Sequence, residues 1–387
     1  MASKPSYDDI FLVIGGGIGG AAAAYHLRNR GKKVIILERE SIPDRHSTGR
    51  TAAVFLLANK DPITFALAYT GLNFFTEHGI LTPRGGLQLA TKGQEEELLA
   101  QRFNLASKYL NIKTLNHKEL VNESWAKRFM SGYPIGGIWE PGAQDINVKA
   151  LHNLYLSEFR RDEDLFFNAN IKNIEHTDGR WVVKTSLGTF NAGTIVNASG
   201  AWGDKVSNLA GVDPLGLEPR RRTAVKFEVQ DDVDISNYPF VIDIGQKFFF
   251  RPWIEKHGHY IIASPMDQTP AEPGIAEPEE KVIQETRELI EPVLGPSTLG
   301  KMKAAWTGQR TFVPKHPGPV IEFAKNGPRW INYEGLGGDG IMSSFGGGTA
   351  VADLATCGKI CDEKLLEMLR VAHLDEKALS STPDMGL

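Results

Sequence analysis

The stretch Gly15-Gly16-Gly17-Ile18-Gly19-Gly20 limits what this chain can fold into more than any other. It follows Ile10-Phe11-Leu12-Val13-Ile14, a continuous apolar, β-branched run of the kind buried on both faces of a parallel sheet. Ala21 to Asn29 reads as a helix, Gly31 closes it, and Val34-Ile35-Ile36-Leu37 is a second apolar strand ending at Glu38. Strand, turn, helix and strand make a β-α-β unit, which requires a parallel sheet. Gly15-x-Gly17-x-x-Gly20, with an acid 18 residues after Gly20, has the spacing of a dinucleotide site. Gly15 permits the tight turn, Gly17 lets main chain approach a pyrophosphate at the helix N-terminus, and Gly20 lets helix and sheet pack closely. Glu38 suits ribose hydroxyls and repels a 2′-phosphate, which favours FAD or NAD over NADP.

Ile10 to Leu27 carries no formal charge and would register as a membrane span by hydropathy, but it is glycine-rich and follows Asp8-Asp9, not a basic region. No other run is long enough, and no signal peptide or lipidation motif stands out. The expectation is a soluble, cytoplasmic protein with at most peripheral membrane contact. A net charge of −4 argues against a nucleic-acid binder. At 387 residues the chain has room for two or three domain-sized cores. Cys357 and Cys361 are too few for a disulfide framework or structural zinc, and their spacing reads as small buried residues on one helix face.

Further helices are expected at Ile63 to His78, Glu95 to Leu110 and Val148 to Arg161, and a buried strand at Thr194 to Asn197. Thr223 to Val229, Lys247 to Arg251 and Tyr260 to Ala263 alternate or carry aromatics, as antiparallel strands do. Pro265 to Pro278 reads as a loop before an amphipathic helix with Val282, Ile283, Leu289, Ile290 and Val293 on one side. The last helix is expected to start near Ile341. The fold class is α/β: a Rossmann-type three-layer FAD-binding domain (residues 1–80, 146–218 and 316–387) interleaved with an antiparallel-sheet substrate domain (81–145 and 219–315).

Several segments resemble one family. Val13 to Gly20, Leu37-Glu38-Arg39-Glu40 and His46-Ser47-Thr48-Gly49-Arg50-Thr51-Ala52 are similar to the FAD-dependent D-amino-acid oxidase/dehydrogenase superfamily, which includes glycine oxidase and sarcosine oxidase-like proteins. Ile195 to Trp202, Pro214 to Leu217 with Arg220-Arg221-Arg222, Trp306-x-Gly308-x-Arg310 and Gly337 to Ile341 extend the likeness over almost the whole chain. The bacterial D-arginine dehydrogenases are the branch it most resembles. The resemblance implies FAD, and without a cysteine near the flavin-facing segments FAD is expected to be non-covalent. Cofactor contacts are expected from Gly15, Gly17, Ile18, Gly20, Glu38 and Arg39, and from Ser47 through Ala52, with Ser47 and Thr48 as phosphate donors. Main chain near Ile171, the small-residue turn at Ala198 and Gly200, and Trp202 complete the nucleotide side. Gly337, Gly338, Asp339, Gly340, Ile341 and Met342 open a helix whose free N–H groups can face a reduced flavin.

Arg222 and Arg310 are the expected substrate hooks, two planar donors that can pin a carboxylate and aim Cα–H at flavin N5. Where D-arginine dehydrogenases carry histidine, tyrosine, glutamate and tyrosine, this chain has Val54, Asn59, Gly86 and Phe249. With Phe240, Ile242 and Met342 nearby, the pocket is expected to be apolar and to take an apolar, aromatic or cyclic amino acid; core packing is the alternative for these side chains. The reaction implied is hydride transfer from a D-amino acid to flavin, yielding an imino acid, then a 2-oxo acid and ammonia. O2 or a quinone or dye is the electron acceptor, and no metal is needed. Tyr260, Tyr333 and His46 are read as structural or loop contacts. A flavin-dependent 2-hydroxy-acid or N-alkyl amino-acid oxidoreductase is the alternative enzyme, and a non-catalytic flavoprotein subunit the alternative of another kind.

Overall fold

The apolar run at the start of the chain, β1 (Ile10–Ile14), sits near the middle of a six-stranded sheet because both of its faces need cover. It pairs in parallel with β2 (Lys33–Leu37) on one side and with Thr194–Asn197 on the other. Leu165–Phe166 continues the parallel pairing beyond β2, and Trp330–Glu334 continues it beyond Thr194–Asn197. Val320–Phe323 closes that edge antiparallel. The computed structural model describes residues 10–58, 60–101, 110–126, 134–230, 233–295 and 298–381.

One face of this sheet is covered by helix α1 (Ile18–Asn29) and by the helices Pro62–Glu77, Gly340–Cys357 and Glu363–Val371. Ala21 to Ala24 on α1 are fully buried, so two helices can approach at the radius of a methyl group. The other face is covered by an antiparallel meander, Ile171–Thr177, Arg180–Thr185 and Thr189–Ala192, where Trp181 meets Trp330 edge-on at 5.2 Å.

The second large sheet has eight strands, running spatially from Leu299–Phe312 through Glu218–Val229, Gly258–Ser264, Phe249–Glu255, Phe240–Asp243, Gly86–Thr91 and Pro134–Glu140 to Lys113–Asn116. It is not wholly antiparallel as expected. Phe240–Asp243 and Gly86–Thr91 pair in parallel, which the long stretch of chain between them permits and a tight hairpin would not. The helix Glu280–Leu294 buries Ile290, Val293 and Leu294 against this sheet. A short third sheet, Val54–Phe55, Gln144–Ile146 and Leu81–Pro83, lies between the larger two in the chain's connections.

Other departures from the sequence reading are local. The helix beginning at Glu95 runs to Gln101, and residues 102–109 lie outside the described ones. The helix from Val148 ends at Leu156, and Gly340–Cys357 is followed by another helix, Glu363–Val371. Cys357 and Cys361 are exposed and joined as a disulfide across the end of the Gly340–Cys357 helix, not buried on one helix face. The helix stops at Gly358, in left-handed conformation at φ +73°, so the two residues do not share a helical turn. Among the described residues no helix is long and apolar enough to cross a membrane.

Gly20 has no room for a side chain: a Cβ there would lie 1.9 Å from the carbonyl oxygen of Gly15. Gly20→Ala is therefore expected to cost about 1–3 kcal/mol of stability, as overpacking does. Gly31→Ala, where nothing lies within 4 Å, should cost only the left-handed backbone preference, about 1 kcal/mol. Urea unfolding of the two variants side by side checks the difference.

Candidate active site

The first half of the site is built from the ends of β1, β2 and Thr194–Asn197. The chain leaves β1 toward β2 on one side and later returns to the other side with Thr194–Asn197, so a crevice opens at the carboxyl ends between them. Gly15 turns there at φ +104°, and a Cβ on it would be 2.4 Å from the carbonyl oxygen of Ala198. Main chain touches main chain, which only glycine allows. Glu38 binds the turn: Oε2 accepts the Gly16 N–H at 2.8 Å and Oε1 the Glu40 N–H at 2.8 Å. Burial raises the pKa of this carboxyl, opposed by those two amides. From the helix Val148–Leu156, the imidazole of His152 bonds the Gly16 carbonyl at 2.8 Å.

Thr48 Oγ1 accepts the Ile18 N–H at 3.0 Å. Ser47 borders two of the cavities at this crevice, and its hydroxyl donates to the Gln309 carbonyl at 2.5 Å, which ties the loop to the eight-stranded sheet. Arg50 does the same through the carbonyls of Thr307 at 2.7 Å and Ala276 at 3.1 Å. Gly49 lies behind the cavity wall, facing the carbonyl of Asp44. Arg39 stacks over the Trp202 ring at 4.0 Å, and His46 bonds Glu40 at 2.9 Å, a loop contact as anticipated.

Three adjoining cavities run from this crevice. The first is bordered by Gly15, Gly17, Glu38, Arg39, Ile171 and Trp202. The second shares Gly17, Thr48, Ala198 and Gly200 with it. Ile18, Arg50, Thr51 and Ala52 line the second cavity together with Gly337, Gly338, Gly340 and Ile341. The third shares Thr51, Ala52, Phe249, Arg310, Gly338 and Ile341 with the second. A narrow crevice at a helix N-terminus leading to a space walled by small residues fits an extended dinucleotide with a flat ring.

Arg222 and Arg310 meet at the second cavity from adjacent strands. In the pairing of Glu218–Val229 with Leu299–Phe312, Arg222 stands opposite Gly308 and Arg220 opposite Arg310, so the two hooks are diagonal neighbours. A Cβ on Gly338 would fall 2.5 Å from the Arg310 guanidinium carbon, so the glycine loop rests on that side chain. Arg222 is 6% exposed; its Nε donates to the Asp267 carbonyl at 2.9 Å, and its Nη1 has no hydrogen-bond partner among the described residues. Burial, then the like charge of Arg310, pushes the Arg222 pKa down to about 9. Burial lowers that of Arg310 too, against the pull of Asp339 and Asp267. Arg221 points the other way, to Glu279 at 3.1 Å, as strand alternation requires.

The third cavity has two unlike walls. Val54, Leu56, Phe240, Ile242, Phe249 and Met342 make one. Lys60, Asp61 and Asp339 stand in the other, so the cavity is not apolar throughout as expected. Lys60 Nζ pairs with Asp339 at 2.8 Å, and Asp61 caps the helix Pro62–Glu77 by accepting the Thr64 N–H at 2.9 Å. Gly86 does not reach the cavity: a Cβ on it would meet Leu56 at 2.3 Å, so Leu56 stands between. Asn59 lies outside the described residues. Tyr333 is buried against Gly347, and Tyr260 carries Lys226 over its ring at 3.9 Å; neither borders the cavities. Sequence reasoning missed Lys60, Asp267, Met266 and Arg251. Buried Arg251 donates to the carbonyls of Ala52 at 2.5 Å and Ala53 at 3.2 Å and pairs with Asp145 at 2.8 Å. No local motif marks these residues, because each matters through a partner far along the chain.

Comparison with known proteins places this geometry. The profile of the FAD dependent oxidoreductase family (DAO) matches residues 11–354. L-2-hydroxyglutarate dehydrogenase of Escherichia coli (strain K12) is 26% identical over 53% of this chain and 50% of its own length. Monomeric sarcosine oxidase of Arthrobacter sp. (strain TE1826) is 24% identical over 65% of the chain and 66% of its own. The chain thus spans about half the length of the Escherichia coli relative. Among solved structures, L-proline dehydrogenase from P. horikoshii superposes with a TM-score of 0.78 at 20% identity, covering 90% of this chain and 94% of that one. Glycine oxidase from Geobacillus kaustophilus gives a TM-score of 0.78 at 19% identity, covering 98% and 99%. A dinucleotide crevice opening onto paired arginines, and a family match over nearly the full sequence, lead to one conclusion: this chain belongs to the FAD dependent oxidoreductase family and uses FAD.

Proposed function

We propose that the protein oxidises the Cα–N bond of a D-amino acid with an apolar or cyclic side chain, giving an imino acid that water hydrolyses to a 2-oxo acid and ammonia. The observation that carries this reading is the buried, unpartnered Nη1 of Arg222 beside a second guanidinium on the same sheet face. Two desolvated like charges with spare donors are unfavourable until an anion arrives. A carboxylate accepting from both removes the repulsion and satisfies the donors. The family's relatives and structural neighbours named for sarcosine, glycine and proline support an α-amino acid as that anion.

FAD, held non-covalently, supplies the two-electron acceptor, and O2 or a quinone-type compound reoxidises it. The chain's own residues do the rest. The N-terminus of α1, with Thr48, holds the pyrophosphate, and Glu38 takes ribose hydroxyls. The loop Gly337 to Gly340 offers main-chain N–H groups at the start of the helix Gly340–Cys357. Arg222 and Arg310 fix the substrate's carboxylate, so its α-carbon is presented in one orientation. Val54, Phe240, Ile242, Phe249 and Met342 enclose its side chain and exclude water. We take residues 1–80, 146–218 and 316–387 as the FAD-binding domain and 81–145 with 219–315 as the substrate domain. Because the two arginines would bind any such carboxylate, and a relative is an L-2-hydroxyglutarate dehydrogenase, 2-hydroxy acids are the second reading.

Anaerobic bleaching of the flavin by a panel of D-, L-, N-methyl and 2-hydroxy acids separates these readings; apolar D-amino acids are expected to bleach fastest, and a flavin that none of them reduces would sink the proposal. Arg222→Met should raise the KM for such a substrate by about 30-fold or more, since loss of one partner of a buried charge pair costs about 2–5 kcal/mol. Arg222→Lys should not restore it, lacking the planar fork. Because the Arg222 pKa is lowered to about 9, its cation is present below that value and lost above it. Benzoate affinity, read from the flavin absorbance, should be flat from about pH 6 to 8 and weaken as pH rises through about 9.

A further inference from the structure

Three non-glycine residues bordering the third cavity, Ala53, Gln246 and Met266, hold left-handed backbone at φ +54°, +57° and +54°. Glycine adopts this conformation without cost, so a larger side chain at such a position carries a small backbone penalty. Met266 is the clearest of the three. It is 9% exposed and packs with Phe240, Ile242 and Phe249 on the apolar wall.

What holds Met266 in this conformation also holds the carboxylate hook. The Met266 N–H donates to Ser264 Oγ at 3.1 Å, and Ser264 is fully buried. The next residue, Asp267, accepts the Thr223 N–H at 2.6 Å and the Thr223 hydroxyl at 3.0 Å. Its carbonyl accepts Arg222 Nε at 2.9 Å. The segment 264–267, leaving the strand Gly258–Ser264, therefore both accepts from Arg222 and carries a thioether to the third cavity.

We infer that Met266 is a specificity-determining residue: its side chain sets how large a substrate side chain fits once the carboxylate is seated on Arg222 and Arg310. This rests on the carboxylate-binding reading above. An unbranched, flexible thioether adapts to side chains of differing shape while occupying space that a fused ring would need. The substrate class is accordingly an α-amino acid with a branched aliphatic or single-ring side chain. A β-branched residue at 266 would resist φ +54° and shift the turn, and Arg222 would shift with it.

The test uses holoenzyme and three unreactive carboxylates, acetate, benzoate and 1-naphthoate, with Kd read from flavin absorbance and by calorimetry. Met266→Ala and Met266→Gly should each raise the affinity for 1-naphthoate relative to acetate by about tenfold or more, with acetate Kd within about twofold of wild type. Met266→Ile should weaken all three together. A packing residue with no part in selection would lower the three affinities in parallel in every variant, and that result, or an unchanged ratio in both the alanine and glycine variants, overturns the inference. Wild-type enzyme that binds none of the three would instead overturn the carboxylate reading of Arg222, and this inference with it.

Discussion

Two main-chain contacts set the geometry on which the rest of the site depends: the turn at Gly15 against the carbonyl of Ala198, and α1 at Gly20 against the carbonyl of Gly15. With no Cβ in either place, the end of β1, the start of α1 and the turn after Thr194–Asn197 collapse to backbone contact. That closeness narrows the crevice at the sheet's switch point. The amides of Gly16 and Ile18 donate at this crevice to Glu38 and Thr48 respectively. A larger residue at Gly15 or Gly20 would separate strand from helix and widen the groove throughout.

The eight-stranded sheet brings the second requirement, buried positive charge. Arg222 and Arg310 sit among Asp267, Asp339 and Lys60, so cations and carboxylates alternate across the cavity. Asp267 is committed to Thr223, and Asp339 to Lys60. The arginines are thus partly compensated by carboxylates that are themselves engaged elsewhere. The two sheets are held in register by struts: Ser47 and Arg50 reach carbonyls of the strand Leu299–Phe312, and Arg251 reaches back to Ala52 and Ala53. The side chains that read as cofactor ligands in the His46 to Ala52 segment are in part these struts.

The cofactor half was legible in the sequence because its signal is local. A buried strand, a glycine turn, a helix and a terminal acid fall within about thirty residues, and each residue's role follows from backbone geometry alone. The arginines were legible through their motif positions and strand alternation, which separates Arg222 from Arg221. The expected pocket was legible only in part. Val54, Phe240, Ile242, Phe249 and Met342 do share a cavity, but Gly86 is screened by Leu56, and Lys60 and Asp61 introduce charge that composition did not suggest.

The sequence by itself determined the parallel sheet, the dinucleotide crevice and the FAD dependent oxidoreductase family, since hydrophobic period, glycine spacing and an acid at a strand end act over short stretches of chain. Only the tertiary structure decided which donors and acceptors are free. The hydroxyl of Ser47, the guanidinium of Arg50 and the carboxylate of Asp267 are all engaged by residues far away in sequence, while one nitrogen of Arg222 is left open. It also placed Met266, in a stretch that reads as plain loop, next to the residue that accepts from Arg222. Those outcomes depend on strand register between segments tens to hundreds of residues apart, and register is set by the packing of whole sheets, which no local pattern encodes.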